Sequence, residues 1–377
     1  MNVPEADSTG RTVREVGEDS LVADVISRYP GADWLSVGPG DDAAVLDLTA
    51  RFPGPLVVGT DTLVEGQDFR RDWSTARDVG VKTAAQNFAD IAAMGAHPHT
   101  LLVSLTTPGD VPAAWARELA DGLIAECARA GAVVAGGDLS AGTELSITGT
   151  ALGTLSTPQA VLRSGARPGD VVAIAGVSGR AAAGWALLLA GHGLLAGPAL
   201  PPALARLVDD QRRPRPPYPA GPEAARAGAT AMIDTSDGLV RDAERLARAS
   251  GVILDLDPGA LSPDADLLAA EAFLAGPGRP GPAGPVGSGG PDGTAGRDGT
   301  GAVGAAGADA FGWVLSGGED HALLATFPPQ VALPPSFRLI GSVLAGPPPA
   351  SAALGAAPAV LLAGRPLLGP GGWRHFA

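Results

Sequence analysis

The chain has 377 residues, of which 45% are hydrophobic, and it carries a formal net charge of −14. This length is sufficient for two domains, since single domains usually have about 100–200 residues. The acidic balance argues against nucleic acid or an anionic membrane as the main partner. It leaves an anionic substrate open, because metal ions can bridge acidic side chains to phosphates.

Cysteine usage and hydropathy indicate a cytoplasmic protein. Cys127 is the single cysteine, so a disulfide framework is excluded, and its helical surroundings predict a buried core thiol. No apolar run reaches the roughly 18 residues that a membrane-spanning helix needs. The polar and acidic start of the chain also lacks the pattern of a signal peptide. We therefore expect no membrane partner.

The first half of the chain predicts one α/β domain over residues 20–157, after a flexible leader over residues 1–19. A helical pattern starts at Ser20, and strand and helix patterns then alternate without a long linker. Such alternation is typical of a layered α/β domain.

Polar residues in this half follow the predicted strands or interrupt an apolar helix. Thr60 and Asp61 follow one apolar strand, and Asp138 follows another strand and two glycines. Asp42 stands in a Gly-Pro turn, which by itself is typical of a surface hairpin. Asp90 lies on a helix among alanines and isoleucine, which makes it a candidate for a buried carboxylate with a partner.

The second half predicts another α/β domain over residues 158–377. A strand, a glycine turn and a helix come first, and the turn lacks the Gly-Lys-Ser/Thr end of a phosphate loop, so we interpret it as a packing turn. Residues 276–308 are almost entirely Gly, Pro, Ala, Ser and Asp without a strict Gly-X-Y period. Such a composition buries too little apolar surface to order itself, which predicts a disordered surface insertion.

The stretch Thr230–Leu239 predicts a strand, a tight turn and a helix. Asp234 ends the strand, Ser236 is expected to cap the helix, and Asp237 is expected in its first turn. An ordinary capped helix is the simplest interpretation. Two carboxylates beside the turn favour instead a site for a divalent metal or phosphate, because ligands of open α/β sheets bind at strand ends and helix N-termini.

Taken together, these aspartates predict a magnesium-dependent phosphoryl-transfer site. Carboxylates gathered at one place repel each other unless a cation neutralises them, and Mg²⁺ prefers carboxylate and phosphate oxygens. The chain has no cysteine cluster for zinc and no Gly-x-Ser-x-Gly turn for a nucleophilic serine. The His97-Pro-His99 pair is expected in a surface loop rather than at a metal.

Eight motifs, in this order, closely resemble the thiamine-monophosphate kinase family of the aminoimidazole-ribonucleotide-synthetase-like superfamily. They are GPGDDAAVL, TDTLVEGQDF, QNFADIAAMGA, GGDLSAG, LRSGARPGD, IDTSDG, SGGED and the final GWRHF. The resemblance runs from about Ser20 to the C-terminus and omits the Gly/Pro-rich insertion. It implies an α/β (α+β) fold of two domains, with the N-terminal domain forming a homodimer through its sheet.

The resemblance also implies ATP-dependent phosphorylation of thiamine monophosphate to thiamine diphosphate, with several Mg²⁺ ions in each site. Residues that match the family's magnesium ligands are Asp42, Thr60, Asp61, Asp90, Asp138, Asp234 and Asp237. Residues that match its ATP contacts are Gly137, Asp138, Arg163 and Ser236. Residues that match its contacts to thiamine phosphate are Asp68, Glu319 and Trp373.

The chain departs from the family pattern at four positions. Gly59 stands where the family often has a small hydroxyl residue, and Asp68 replaces a substrate-contacting histidine. His321 and Ala322 change the usual Gly-Gly-Glu-Asp-Tyr-Glu-Leu to Gly-Gly-Glu-Asp-His-Ala-Leu. These changes concern substrate recognition more than the metal aspartates.

Two other functions stay open at this point. A selenophosphate, hydrogenase-maturation or purine-pathway enzyme of the superfamily is one, although the first two would use a terminal reactive cysteine and Cys127 lies inside a helix pattern. A catalytically inactive nucleotide-binding scaffold is the other. The retention of every metal aspartate argues against it.

The composition of residues 276–308 generates the first prediction. Replacing this segment with a short Gly-Ser linker should leave activity and melting temperature nearly unchanged, because loop-closure entropy depends only weakly on length. Enzyme assays and thermal melts of the two proteins measure this. A large loss of either property would show that the segment packs on the enzyme or closes over a substrate.

Overall fold

The structure is a computed structural model that describes residues 10–40, 43–49, 51–276, 309–346 and 359–367. Asp42, Trp373 and nearly all of the predicted insertion lie outside these ranges. None of the helices within them is long and apolar enough to cross a membrane.

Helices and strands alternate along most of the described chain. The helices are α1 Val13–Val16, α2 Glu18–Ile26, α3 Ala76–Ala93, α4 Ala113–Ala130, α5 Arg180–Leu189, α6 Pro202–Arg212, α7 Ala220–Ala227, α8 Leu239–Ser250, α9 Ala265–Ala275 and α10 Ala310–Ser316. The strands are β1 Leu35–Val37, β2 Val45–Leu46, β3 Leu56–Val64, β4 Ala96–Thr107, β5 Val133–Ala141, β6 Ser146–Leu155, β7 Val171–Ala175, β8 Ala231–Asp234, β9 Val252–Leu256, β10 Leu323–Phe327, β11 Phe337–Ala345, β12 Val360–Leu362 and β13 Arg365–Pro366.

Two mixed sheets organise these elements. The first has the strand order β3-β6-β4-β5, in which β4 and β5 are parallel and the other neighbours antiparallel. The second has the order β13-β12-β9-β11-β7-β10-β8, and its only parallel pair among the described strands is β9 with β12. The predicted α/β class is therefore confirmed. The division at residue 157 stays a prediction, although the first sheet ends at Leu155 and the second begins at Val171.

Helix α3 lies between the two sheets and is enclosed on nearly all sides. Every residue of this helix except Arg77 and Asp90 is buried or nearly so. It packs against β3, β4 and β6 on one side and against β8, α6 and α7 of the second half on the other. Phe88 meets the ring of Tyr218 edge-on, with 5.9 Å between ring centroids. The sequence predicted one buried face for this helix. Its other faces are buried as well, because the second half of the chain also packs against it.

Several local predictions need correction. Residues 13–16 of the expected leader form α1, whose Thr12 and Glu15 make a capping box. Asp61 and Asp138 lie within strands rather than after them, because β3 and β5 continue past the glycines. The pair at positions 97 and 99 also lies in a strand, β4, rather than in a loop.

The start of α8 also differs from the prediction. The helix begins at Leu239 with Gly238 as its N-cap, and no side chain caps it. Ser236 and Asp237 therefore lie in the preceding loop. Gly238 has φ +112, and a Cβ atom there would meet the Ser316 carbonyl oxygen at 2.6 Å, so this loop needs glycine to turn sharply. The buried position of Cys127, by contrast, is confirmed.

The contact between α3 and α4 generates a stability prediction. A Cβ atom at Gly122 would lie 2.1 Å from the Arg77 carbonyl oxygen, and one at Gly80 would lie 2.2 Å from the Leu119 carbonyl oxygen. Gly122→Ala must push the helices apart. We expect this substitution to lower the free energy of unfolding by about 1–3 kcal/mol. This loss exceeds the stability that alanine adds over glycine through its higher helix propensity.

Gly31→Ala is the matched control for this substitution, because an added Cβ there meets no atom within 4 Å. Urea denaturation of the two variants and the parent gives the comparison. Equal stability of Gly122→Ala and Gly31→Ala would contradict the close helix contact.

Candidate active site

Asp90 and Asp234 meet between the two sheets, together with a histidine that the sequence analysis did not assign. The Nδ1 atom of His321 lies 3.1 Å from Oδ2 of Asp234, and both residues are buried. Burial raises the pKa of Asp90 to about 7, and the charges of Asp234 and Asp61 add to this effect. His321 and Arg163 oppose it. The structure thus gathers Asp61, Asp90, Asp234 and Arg163 within electrostatic range.

Burial alone would lower the pKa of His321. The hydrogen bond and charge of Asp234, followed by the charge of Asp90, raise it above its usual value. A protonated imidazole at this place stabilises the two carboxylates, because each then has an opposite charge nearby.

Asp61 and Thr60 are adjacent in β3 but project from opposite faces of the sheet, as neighbouring strand residues do. A Cβ atom at Gly59 would lie 3.7 Å from Cβ of Asp90, so the odd-numbered face of β3 is turned toward α3 and Asp90. The Thr60 hydroxyl donates instead to the Gly149 carbonyl oxygen at 2.8 Å and lies 3.1 Å from the hydroxyl of Thr150. The structure does not bring the Thr60 side chain to the carboxylates.

Asp237 is paired with cations of α8 rather than with the other carboxylates. Its carboxylate contacts Arg245 and lies 3.6 Å from the Nε atom of Arg241. Asp242, which the sequence analysis missed, is fully buried beneath it and accepts a hydrogen bond of 2.9 Å from the Asp237 amide. Burial raises the pKa of Asp242 to about 7, with a further contribution from Asp234, while Arg245 opposes the shift.

Gly137 and Asp138 line a cavity of about 670 Å³ at the β5 edge of the first sheet. Apolar side chains of α2 and α4 form much of its wall, and Pro39 and Gly40 lie at its rim. Position 137 must be glycine, because a Cβ atom there would lie 1.8 Å from the Val103 carbonyl oxygen. Asp138 is exposed and accepts a hydrogen bond of 2.7 Å from Ser140.

Glu319 and His321 lie in a tight turn between α10 and β10, and both have left-handed backbone conformations with φ +69 and φ +51. Two interactions hold this strained turn in place. The Glu319 amide donates to the Ser236 carbonyl oxygen at 2.8 Å. The fully buried Asp320 accepts from the Ala181 amide at 2.8 Å and from the Gly179 amide at 2.5 Å, which anchors the turn to the start of α5. Burial raises the pKa of Asp320 to about 7.

The predicted substrate residues Asp68 and Glu319 share one partner, Lys82 of α3. Its Nζ atom lies 2.9 Å from Oε1 of Glu319 and donates to the Asp68 carbonyl oxygen at 3.0 Å. The Asp68 side chain accepts a hydrogen bond of 2.7 Å from the Val64 amide, so it closes its own turn. Burial raises the pKa of Asp68, which the Val64 amide partly offsets. Gln211 of α6 faces the other Glu319 oxygen at 3.4 Å.

The carboxylates fit a divalent cation in chemistry but are not preassembled around one. Within the described ranges, no group of three or more His, Cys, Asp or Glu residues is arranged to hold a metal ion. Asp61, Asp90 and Asp234 nevertheless offer hard oxygen ligands, and their mutual repulsion is what a divalent cation relieves. Asp42, a fourth predicted ligand, and Trp373, a predicted substrate contact, lie outside the described residues.

Comparison with known proteins identifies the family. The model of the N-terminal domain of AIR synthase related proteins matches residues 40–155. The thiamine-monophosphate kinase of Mycobacterium tuberculosis strain H37Rv is 39% identical over 368 residues, which are 97% of this chain and 93% of the relative. The chain belongs to the thiamine-monophosphate kinase family.

Solved structures agree with this membership. The thiamine-monophosphate kinase from Stenotrophomonas maltophilia K279a superposes with a TM-score of 0.69 at 28% identity, over 93% of this chain and 96% of that one. A structure described as AaThiL complexed with AMPPCP and TMP superposes with a TM-score of 0.67 at 26% identity, over 98% of this chain and 100% of that one. The predicted superfamily fold is thereby confirmed.

Lys82, the shared partner of the predicted substrate residues, is a residue that the sequence analysis of this thiamine-monophosphate kinase family member overlooked despite a visible signal. It is the only lysine in the chain. Gln211 and Asp242 gave no such signal, because a glutamine or an aspartate inside a helix pattern usually faces water.

The raised pKa of Asp90 generates a prediction about stability and pH. An ordinary aspartate has a pKa of about 3.9 in the unfolded chain, whereas that of Asp90 is about 7 in the folded protein. The folded state therefore favours the protonated form, and the stability that this supplies below pH 4 is lost as the pH rises through 7. In metal-free buffer at pH 8, Asp90→Asn should raise the free energy of unfolding by about 1–3 kcal/mol, and at pH 4.5 the gain should largely vanish.

Asp138→Asn is the control for this experiment, since Asp138 is exposed. Its effect should stay within about 0.5 kcal/mol at either pH. Denaturant titrations with a chelator present measure all three proteins. An Asp90→Asn protein that is less stable than the parent at pH 8 would contradict the prediction, because it would mean that neighbouring positive charges already stabilise the ionised carboxylate.

Proposed function

We propose that this protein phosphorylates thiamine monophosphate to thiamine diphosphate with ATP. Full-length similarity to a kinase of 39% identity supports this activity. So does the structural neighbour in complex with AMPPCP, an ATP analogue, and TMP. The observation in this chain that carries the proposal is the meeting of Asp61, Asp90 and Asp234 with Arg163 between the sheets. This is the charge arrangement that phosphoryl transfer requires.

The reaction needs positioning more than acid–base chemistry. The terminal phosphoryl group of ATP passes to a phosphate oxygen of thiamine monophosphate, so one P–O bond forms as the bond to ADP breaks. The attacking oxygen is already ionised near neutral pH, and no general base is required. Direct in-line transfer without a phosphoenzyme is what the family resemblance implies, and the rate then comes from alignment and charge neutralisation.

We infer that the protein uses Mg²⁺ held by Asp42, Asp61, Asp90, Asp138, Asp234 and Asp237, with Thr60 contributing through its backbone. Bound magnesium would neutralise the phosphate charges. Asp237 would have to leave Arg245 and Arg241, or share them with the nucleotide. Because a guanidinium binds phosphate oxygens in a fork geometry, Arg163 can hold the ATP phosphates from the other side.

We assign the ATP to the cavity lined by Gly137 and Asp138. Its volume of about 670 Å³ and its apolar wall suit a purine ring. Asp138 at its edge is where a cation between protein and phosphates would lie. Ser236 belongs to the loop that meets Glu319 and is proposed as a further ATP contact. On this assignment the acceptor substrate occupies the side of the site formed by Asp68 and Glu319, and Trp373, outside the described residues, is proposed as a further contact.

We further propose a cytoplasmic homodimer formed through the first sheet. The sheet face away from α3 exposes large apolar side chains at Leu56, Val58 and Leu102, by 50%, 58% and 38%. A second copy would cover them, because contiguous exposed apolar surface on a protein usually marks an interface. The buried free Cys127 and the use of ATP fit a reducing, ATP-containing compartment.

The other superfamily activities are not favoured. The relative that is 39% identical over nearly the full length is a thiamine-monophosphate kinase, which favours that activity over selenophosphate synthesis, hydrogenase maturation and the purine-pathway reaction. An inactive scaffold would not need to gather mutually repelling carboxylates, which together with burial raise the pKa of Asp90.

Turnover with defined substrates tests the proposal. The purified protein should convert thiamine monophosphate and ATP to thiamine diphosphate and ADP with Mg²⁺, and should stop when a chelator removes the metal. Chromatography of the thiamine esters measures this directly. Folded protein that hydrolyses ATP without forming thiamine diphosphate would overturn the substrate assignment, and protein inactive toward both would overturn the kinase assignment.

A further inference from the structure

Lys82 stands apart from every other basic residue of the chain. Of 26 lysines and arginines it is the only lysine. Elsewhere this sequence uses arginine, including at its surface ion pairs. Lysine offers a compact ammonium on a flexible stem, whereas arginine offers a planar fork, so the two are not equivalent in a confined site. A lone lysine in such a composition indicates a place where the fork does not fit.

The surroundings of Lys82 are as unusual as its identity. The side chain is 2% exposed, and burial of an ammonium is costly unless its donors are paired. The Nζ atom meets this requirement through Oε1 of Glu319 at 2.9 Å and the Asp68 carbonyl oxygen at 3.0 Å. Its two partners come from different halves of the chain. One lies in the turn after β3, and the other lies in the strained turn before β10.

Glu319 is left with capacity to bind a ligand. Its side chain is 30% exposed, although Lys82 holds one oxygen and Gln211 faces the other. A carboxylate has about four lone-pair sites, so it can accept further hydrogen bonds or face a cation. Gln211 is 1% exposed and its Oε1 atom has no protein partner in the described residues. The Nε2 atom of the same amide faces Glu319, so Gln211 helps to hold the carboxylate in place.

We propose that Lys82 is the positioning residue of the acceptor-substrate site. It fixes the Glu319 carboxylate and the Asp68 turn at one separation, so that Glu319 accepts hydrogen bonds from an aminopyrimidine joined to a cationic ring. The inference rests on the proposed function, because it names how that substrate is recognised. Lys82 acts on the substrate through Glu319, while its bond to the Asp68 carbonyl oxygen anchors the ammonium, and it does not itself touch the reacting phosphates.

A purely structural role makes different predictions. If Lys82 only joined the two halves of the chain, its removal would lower stability and affect both substrates alike. If it positions Glu319, its removal raises the KM for thiamine monophosphate and spares that for ATP. The ratio of the two KM values therefore separates the roles, whereas a melting temperature does not.

The first experiment compares Lys82→Met, Lys82→Arg and the parent. Lys82→Met should raise the KM for thiamine monophosphate about tenfold to a hundredfold, the range for a lost charge-assisted hydrogen bond, with the KM for ATP within about twofold. Lys82→Arg keeps the charge but should stay impaired at least about tenfold, because the fork cannot occupy the ammonium's place. Arg129→Met, which removes an ion pair to Glu126 on α4, is the matched control and should leave the KM ratio unchanged.

The outcomes separate this inference from the proposed function. A parent protein that forms no thiamine diphosphate overturns the function. An active parent with a Lys82→Met variant of unchanged KM ratio overturns the inference alone. A Lys82→Arg variant with the parent's KM shows that only the charge matters and overturns the positioning role.

The energetic coupling between Lys82 and Glu319 gives a second test, which can be carried out even if Lys82→Met folds poorly. The double variant Lys82→Met/Glu319→Gln leaves no unpaired charge, so it should fold even if one single variant does not. Calorimetric titration with thiamine monophosphate should show the double variant binding no more weakly than Glu319→Gln within about threefold, because Lys82 acts through the lost carboxylate. A further loss of tenfold or more beyond Glu319→Gln would mean that Lys82 works independently of Glu319, and would overturn the proposal.

Discussion

The enclosure of α3 is the constraint on which the site depends. On a helix that is covered on nearly all sides, charged side chains other than the exposed Arg77 cannot reach water freely, so each of them must meet a partner from another element. Lys82 meets Glu319 and the Asp68 turn near the start of the helix. Asp90, near its end, faces Asp234 and His321. One rigid element thus sets the distance between a cationic and an anionic part of the same site.

The two parts differ in how their charges are balanced. Around Lys82, an ammonium and a carboxylate neutralise each other inside the protein. Around Asp90, burial raises the pKa of the carboxyl, and the charges of Asp234 and Asp61 add to this effect while His321 and Arg163 oppose it. The first arrangement is complete before any ligand binds and suits recognition of an organic substrate. The second is incomplete and suits a site where metal and phosphate charges arrive together.

Sequence reasoning succeeded where one residue type carries the chemistry by itself. Aspartates beside glycines or in apolar surroundings pointed to Asp90 and Asp234, and the α/β class followed from alternating patterns. It failed where the outcome depends on how a strand continues or which way a side chain faces. Thr60 next to Asp61 suggested a shared ligand set, but strand alternation places their side chains on opposite faces.

Sequence reasoning also failed where the fold decides which residues become partners. Nothing near Asp237 indicated that Arg245, eight positions on, would pair with it, because that pairing requires α8 to begin only at Leu239. Likewise, the role of position 321 in the GGED turn depends on the turn's left-handed backbone, which directs the imidazole back to the end of β8.

His321 shows how a departure from the family pattern can be accommodated by the chain's own charges. A buried imidazole is costly when charged, and burial alone would keep it neutral. Here the adjacent Asp234 and Asp90 outweigh burial and favour the imidazolium. The same excess of negative charge that a divalent cation would neutralise therefore makes a cationic residue at this position acceptable. The histidine can balance part of that charge while no metal is bound.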